Sequence, residues 1–223
     1  MLFMMDKNGT NAQSIHQPVG RHYDLPMISY RDALWPLIEQ GKMTWSDLSP
    51  DDVHPNDYGH SVAAAFIKSY LSDLYADLDN IGSEAAAVPT PLISDAYENA
   101  RILTSANFEA TRTGSFKVDN NAFFQFKDGW TVTKGTDPIE FDIKKVKNVF
   151  ILYNRSPKNT MGKVKVQVNF GVGQEIDSYF AQLDYASYQQ VSATKNAGNQ
   201  KVVITPMAED GKNEFRILGI LVS

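Results

Sequence analysis

The chain has 223 residues, of which 43% are hydrophobic and 21% are charged, and this is the composition of a folded globular protein. The formal net charge of -5 gives no reason to expect a nucleic-acid-binding surface. The absence of cysteine excludes disulfides and thiolate metal sites, but it leaves the compartment open. The opening apolar run, residues 1–5, is too short for a membrane span or for the core of a signal peptide.

Residues 1 to 80 alternate between strand-like and helix-like segments. The runs MLFMM (1–5) and LPMISY (25–30) are apolar enough for buried parallel strands. A helix-like segment follows each of them. A further helix is predicted after residue 56, because apolar residues recur there at intervals of three and four. Strands and helices in this order predict part of an α/β layer fold.

The chain changes character near residue 80. Residues 81–96, IGSEAAAVPTPLISDA, are mostly small and contain prolines, which predicts a linker. From residue 97 to residue 223 the hydrophobic period becomes two, most clearly in IEFDI (139–143) and KVKVQVNF (163–170). Turn residues separate these runs at roughly regular intervals. The sequence therefore predicts an all-β, jelly-roll-like sandwich as an accessory domain over residues 97–223.

The segment SPDDVHPNDYGH, residues 49–60, contains an aspartate and a histidine three residues apart. Asp51 can fold back within one turn and accept a hydrogen bond from the ring of His54, and a histidine titrates near neutrality, as a general base requires. Pro55 stiffens the chain just after the histidine, so the base would sit on a short loop held against a rigid helix. The spacing is that of two members of a catalytic triad. The alternative is a surface turn in which Asp57 caps the helix.

The pattern DxVHPNDxGHxxxA in this segment resembles the last conserved block of the SGNH, or GDSL-type, serine hydrolases. The stretch LPMISYRDALWPLI also resembles the final strand and helix of that fold in bacterial members, so the resemblance covers roughly residues 1–75. It implies a partial three-layer α/β domain with a parallel sheet, and a lipase-like esterase or acylhydrolase that acts on ester bonds. It also implies that Asp51 is the orienting acid and His54 is the base.

The chain departs from this family where the nucleophile should be. The family carries its serine in a Gly-Asp-Ser block near the start of the domain, with the oxyanion-hole glycine and asparagine on later blocks. None of these blocks is present, and Asn8 and Asn11 come too late to be the oxyanion asparagine. The internal serines have ordinary explanations as a helix cap, a turn residue and a first-turn residue: Ser29, Ser49 and Ser61. We therefore expect the nucleophile to lie upstream of Met1, and the chain to be the inactive C-terminal part of a longer hydrolase.

The predicted β domain carries no catalytic constellation, and binding is the use that its sequence suggests. Aromatic rings stack well on the faces of sugars, and the residues that would do so, unless they belong to the core, are Trp130, Tyr153, Tyr179, Tyr185 and Tyr188. Neither a metal site nor a cofactor site is proposed, because no cluster of Asp, Glu and His has ligand spacing.

Three interpretations of the function stay open. The first is a serine hydrolase of a carbohydrate or lipid ester, with an acylated carbohydrate among its substrates. The second is a non-catalytic carbohydrate- or partner-binding protein that keeps a vestigial hydrolase remnant, and the third is a hydrolase completed by another chain. An intact parent protein would be compatible with secretion or a periplasmic location. Self-association is also predicted, through the sheet edge formed by residues 1–5 and 25–30.

Overall fold

The architecture is known from a computed structural model, which describes residues 1–78, 87–207 and 211–223. The chain divides into two compact units, Met1–Ile93 and Ser94–Ser223. Part of the predicted linker, residues 81–86, lies outside the described residues, and the domain boundaries drawn from the sequence stay a prediction. Within the described ranges, no helix is both long enough and apolar enough to cross a membrane.

In its described residues, the first unit consists of four helices and a short pair of strands. The helices are α1 (Gln13–His22), α2 (Tyr30–Glu39), α3 (Trp45–Leu48) and α4 (Asp57–Ala76), and the strands are β1 (Leu2–Phe3) and β2 (Ile28–Ser29). The strands pair in parallel, with Leu2 opposite Ile28. The pair ends at Ser29 because this residue already caps α2, where its hydroxyl accepts a hydrogen bond from the N–H of Asp32 at 3.0 Å.

The α/β class predicted from the sequence is wrong, because the described residues are mostly β. Among the described residues of the range 1–80, the expected parallel sheet is present only as the β1–β2 pair. The run MLFMM predicts a longer strand, but only Leu2 and Phe3 have a strand partner. A continuous apolar run signals burial, not pairing, and Met5 is buried against helices instead.

The core of the first unit is small. One of its buried members lies just after β1 and the others lie on three helices: Met5, Tyr30, Leu34, Leu48 and Ala63. Leu48 is the last residue of α3, so its burial anchors the segment that follows. The outer part of the sheet is open to solvent, since Met1, Leu2, Leu25 and Met27 are exposed. Self-association through residues 1–5 and 25–30 stays a prediction.

The second unit is a sheet of eight antiparallel strands in its described residues. The strands are β3 (Arg101–Leu103), β4 (Lys117–Asp119), β5 (Gly129–Val132), β6 (Ile139–Arg155), β7 (Lys163–Val168), β8 (Gln174–Asp177), β9 (Tyr185–Met207) and β10 (Phe215–Val222). They lie in the order β4-β5-β10-β6-β9-β7-β8, with β3 also paired to β10. The all-β character predicted for this half of the chain is confirmed.

Two long strands curl this sheet around its own core. β6 has 17 residues and β9 has 23, and their register shifts between Ile143 and Val146 and again between Val149 and Phe150. Bulges of this kind bend a strand and increase its twist. In the sequence, Lys144 and Lys145 interrupt the alternation as a turn would. In the structure they are part of the continuous strand β6.

Alternation along β6 decides which side chains form the core of the second unit. Ile139, Phe141 and Ile143 are buried, whereas Asp142 is exposed between them. The ring of Trp130 on β5 lies 4.9 Å from the ring of Phe141 in an edge-to-face arrangement. These contacts join the two halves of the curled sheet into one apolar interior.

Candidate functional site

The segment that the sequence singles out is a tight turn between α3 and α4. The Oδ2 atom of Asp51 lies 2.9 Å from Nδ1 of His54. The other carboxylate oxygen, Oδ1, accepts hydrogen bonds from two backbone N–H groups, that of Val53 at 2.9 Å and that of His54 at 2.8 Å. The structure thus brings the two predicted site residues together and fixes the carboxylate by three contacts.

These contacts favour the charged form of the carboxylate. The backbone N–H of His54, then that of Val53, and then the His54 ring lower the pKa of Asp51 from its ordinary 3.8 to about 2. Asp51 is therefore ionised throughout the pH range in which a histidine acts as a base. A carboxylate beside Nδ1 favours the tautomer that carries its proton there, and this leaves the lone pair of the imidazole on Nε2.

The imidazole is open to the outside of the unit. The side chain of His54 is 79% exposed, and its Nε2 has no hydrogen-bond partner in the part of the chain that the structure describes. An oriented imidazole with an open Nε2 can take a proton from a hydroxyl placed about 3 Å from it. The geometry of the pair is therefore suited to general-base chemistry.

The helix behind the turn is capped and closely packed. Asn56 caps α4, because its Oδ1 accepts a hydrogen bond from the N–H of Gly59 at 2.8 Å. The N–H of Asn56 donates to the carbonyl of Leu48 at 2.9 Å, which joins the start of α4 to the end of α3. A Cβ at Gly59 would collide with that carbonyl oxygen, so the close approach requires glycine. Asp57 is the first residue of α4 and is not its cap.

The segment after β1 also contacts the turn. The N–H of Lys7 donates to the carbonyl of Asp52 at 3.0 Å, and Nζ of Lys7 lies 2.8 Å from the Asp52 carboxylate. The ion pair is exposed, so it contributes little to stability. The backbone hydrogen bond nevertheless places the turn beside the carboxyl end of β1.

None of the three serines considered from the sequence contacts the His54 ring. Ser29 caps α2, and the hydroxyl of Ser61 donates to the carbonyl of Tyr58 at 2.7 Å. Ser49 is buried, and its hydroxyl faces the backbone of the turn rather than the imidazole. None of these three serines is therefore placed as a nucleophile for His54.

The aromatic residues proposed for sugar stacking divide into core and surface residues. Trp130 and Tyr153 are buried and face the core, so they are not available to a ligand. Tyr185 is half-buried, and its hydroxyl accepts a hydrogen bond from Arg155 at 3.1 Å. Tyr179 and Tyr188 are exposed, which leaves them as stacking surfaces.

Tyr188 belongs to an aromatic groove that sequence reasoning missed. Its ring centroid lies 6.1 Å from that of Phe150, and the Phe150 ring lies 6.3 Å from the ring of Tyr97. These three residues, with Arg101, line a cavity of about 470 Å³. No sequence signal marks the groove, because Tyr97 directly follows the predicted linker and Phe150 lies in a run typical of a core strand.

Comparison with known proteins gives a similarity of fold. No protein-family model and no curated protein matches the chain. Two crystal structures of a two-domain esterase active on acetylated mannans do match, one of them co-crystallised with mannopentaose. Both cover 100% of this chain at 24% identity, with TM-scores of 0.81 and 0.82. The shared feature is the fold. The chain spans 62% of the length of that esterase.

Proposed function

We propose that the chain is part of a serine ester hydrolase that acts on an acylated carbohydrate, with Asp51 as the orienting acid and His54 as the base. The observation that carries the proposal is the 2.9 Å contact between Asp51 Oδ2 and His54 Nδ1 on an exposed turn, with Nε2 open. The resemblance of residues 49–60 to the last block of the SGNH hydrolases supports it. So does the ionised state of the carboxylate, which an orienting acid requires.

In the proposed reaction, Nε2 of His54 takes the proton of a serine hydroxyl as that hydroxyl attacks the acyl carbonyl. It then gives the proton to the leaving alcohol. Asp51 stays ionised throughout and stabilises the imidazolium that forms between these two steps. A water molecule repeats the sequence on the acyl-enzyme and releases the acid. The proposal assigns the serine and the oxyanion donors to residues other than the 223 of this chain.

The carbohydrate part of the proposal is supported by the fold. The esterase of similar fold is active on acetylated mannans, and this suggests an acetylated polysaccharide as the substrate class here. The exposure of His54 suits a large substrate, since a polymer can approach the turn from solvent.

The test is acetate release from acetylated mannan by the product of the complete reading frame. His54→Ala is compared with His60→Ala, because His60 is an exposed histidine on the first turn of α4. We expect His54→Ala to lose turnover and His60→Ala to keep it, and residues 1–223 alone to release no acetate. Wild-type turnover in His54→Ala would refute the base assignment. Turnover by residues 1–223 that depends on His54 would place the nucleophile inside them and refute the assignment of the serine.

A second candidate function is carbohydrate binding by the second unit, and the aromatic groove of Tyr97, Phe150 and Tyr188 favours it. Tyr188 is 67% exposed although it carries a large ring, and the groove that it lines is mostly apolar. Exposed aromatic rings provide the apolar stacking surface on which the face of a sugar can lie. This function is compatible with the esterase and is also the interpretation that remains if the hydrolase part is vestigial.

Calorimetric titration with mannan oligosaccharides checks this second candidate. Tyr188→Ala is expected to weaken binding about tenfold or more, equivalent to about 1.4 kcal/mol. Tyr75→Ala is the matched control, because Tyr75 on α4 is also a tyrosine that is 67% exposed. Equal affinity of the two variants would exclude the groove as the binding site.

A further inference from the structure

The hydroxyl of Ser49 lies inside the turn that carries the Asp51–His54 pair. Ser49 is 2% exposed, and its Oγ accepts a hydrogen bond from the N–H of Asp51 at 3.2 Å. The same oxygen lies 2.8 Å from the carbonyl oxygen of Asp51 and 2.7 Å from that of His54. One buried atom therefore contacts the backbone at both ends of the Asp-x-x-His turn.

The indole of Trp45 holds the same turn. Its Nε1–H donates to the carbonyl of Asp51 at 2.6 Å. A hydroxyl has only one proton to donate. Because the Asp51 carbonyl already has the indole as donor, the Ser49 proton is left for the carbonyl of His54. With this assignment, the N–H of Asp51 has the Ser49 oxygen as its acceptor. The carbonyl groups of Asp51 and His54 have the indole and the Ser49 hydroxyl as their donors.

Both side chains start from a well-anchored element. Ser49 directly follows α3, and its N–H donates to the carbonyl of Trp45 at 3.1 Å. The Trp45 ring packs against the core of the first unit. At the start of α3, the carboxylate of Asp47 accepts a hydrogen bond from the N–H of Thr44 at 2.8 Å. The turn is therefore held by groups whose own positions are fixed.

We infer that Ser49 and Trp45 are positioning residues, which hold the backbone of the turn so that the Asp51 carboxylate stays against the His54 ring. The role of that pair in catalysis rests on the proposed function. Loss of the Ser49 hydroxyl would leave the carbonyl of His54 without its buried donor. The turn could then open, and the Asp51 carboxylate would lose the backbone N–H donors of Val53 and His54.

The test is the titration of the Asp51 carboxyl in residues 1–223, followed by carbon-13 NMR. In the wild-type chain the midpoint is expected at the pKa of about 2. Ser49→Ala is expected to raise it towards 3.8, and Trp45→Phe, which keeps an aromatic ring but loses the N–H, is expected to raise it less. Ser46→Ala is the matched control, because Ser46 is an exposed serine on α3 whose hydroxyl contacts Thr44 and not the turn.

The carboxyl of Asp6 is an internal reference in each spectrum. Hydrogen bonds from Thr10 and from the N–H of Asn8 lower its pKa, and they involve neither Ser49 nor Trp45. A raised midpoint for Asp51 with an unchanged midpoint for Asp6 supports the inference.

An Asp51 midpoint that stays near 2 in both variants overturns the inference. If Ser49→Ala unfolds the first unit, the midpoints of Asp6 and Asp51 rise together. Trp45→Phe then tests the inference: a raised Asp51 midpoint with an unchanged Asp6 midpoint supports it, and an unchanged Asp51 midpoint overturns it. The titration needs no ester turnover. Its failure is therefore distinct from a failure of the proposed function, which acetate release tests.

Discussion

His54→Ala is expected to lower the kcat of ester hydrolysis by the proposed serine hydrolase about 10⁶-fold, because a nucleophile without its base loses most of the benefit of the triad. KM should change much less, since the exposed imidazole acts on the proton and not on the carbohydrate. The measurement is kcat with a short-chain nitrophenyl ester and with acetylated mannan.

Asp51→Asn belongs to the same experiment and is expected to cost less, on the order of 10⁴-fold. The amide oxygen can still accept from the N–H groups of Val53 and His54, so the turn should keep its shape. The amide cannot hold the ring in the right tautomer or stabilise its charge. Asp52→Asn is the control, because Asp52 is the neighbouring carboxylate but pairs with Lys7. Near-wild-type kcat in both His54→Ala and Asp51→Asn would remove the pair from the mechanism.

The position of the candidate site could be predicted from the sequence because its central contact is local. Asp51 and His54 are three residues apart, so one turn of backbone decides whether they meet, and Pro55 restricts the backbone directly after the histidine. The role of Ser49 had no such signal. Its hydroxyl contacts backbone atoms. A sequence pattern gives the side chains of a turn, but it does not show which carbonyl groups of the turn point inward.

The fold could be predicted only in part, because it depends on pairing between distant segments. The alternation in IEFDI correctly indicates that Ile139, Phe141 and Ile143 share one face. The same pattern does not reveal that the strand continues through Lys144 and Lys145, since bulges interrupt the period. The apolar run at residues 1–5 likewise predicts burial, which Phe3 and Met5 show and Met1 and Leu2 do not. The run by itself does not show which segment pairs with it.

The aromatic groove lies beyond sequence reasoning for the same reason. Tyr97, Phe150 and Tyr188 come from three separate parts of the chain and meet only when β6 pairs with β9. Period-two alternation places Phe150 and Val149 on opposite faces, but it does not say which face is covered. The half-buried Phe150 ring becomes part of the groove only in the completed sheet.

Phe141→Ala is expected to lower the free energy of unfolding of the second unit by about 3–5 kcal/mol. Phe141 is 0% exposed, and its ring lies 4.9 Å from the Trp130 ring and 6.3 Å from the Phe108 ring. Removal of the ring deletes buried apolar surface and leaves a cavity between strands that pair over long distances, so the site cannot collapse without moving β5 or β6.

Native-state amide exchange in β6 and β9 measures this loss in the whole chain, because the slowest amides exchange through global opening of the unit that contains them. A change of about 3–5 kcal/mol corresponds to protection that is lower by about 10²- to 10³-fold or more. Phe170→Ala is the control of identical chemistry, since Phe170 is 89% exposed and its removal uncovers almost nothing. If Phe141→Ala and Phe170→Ala reduce protection equally, the core of the second unit does not depend on the Phe141 contacts. The curl of β6 and β9 must then be held by backbone pairing alone.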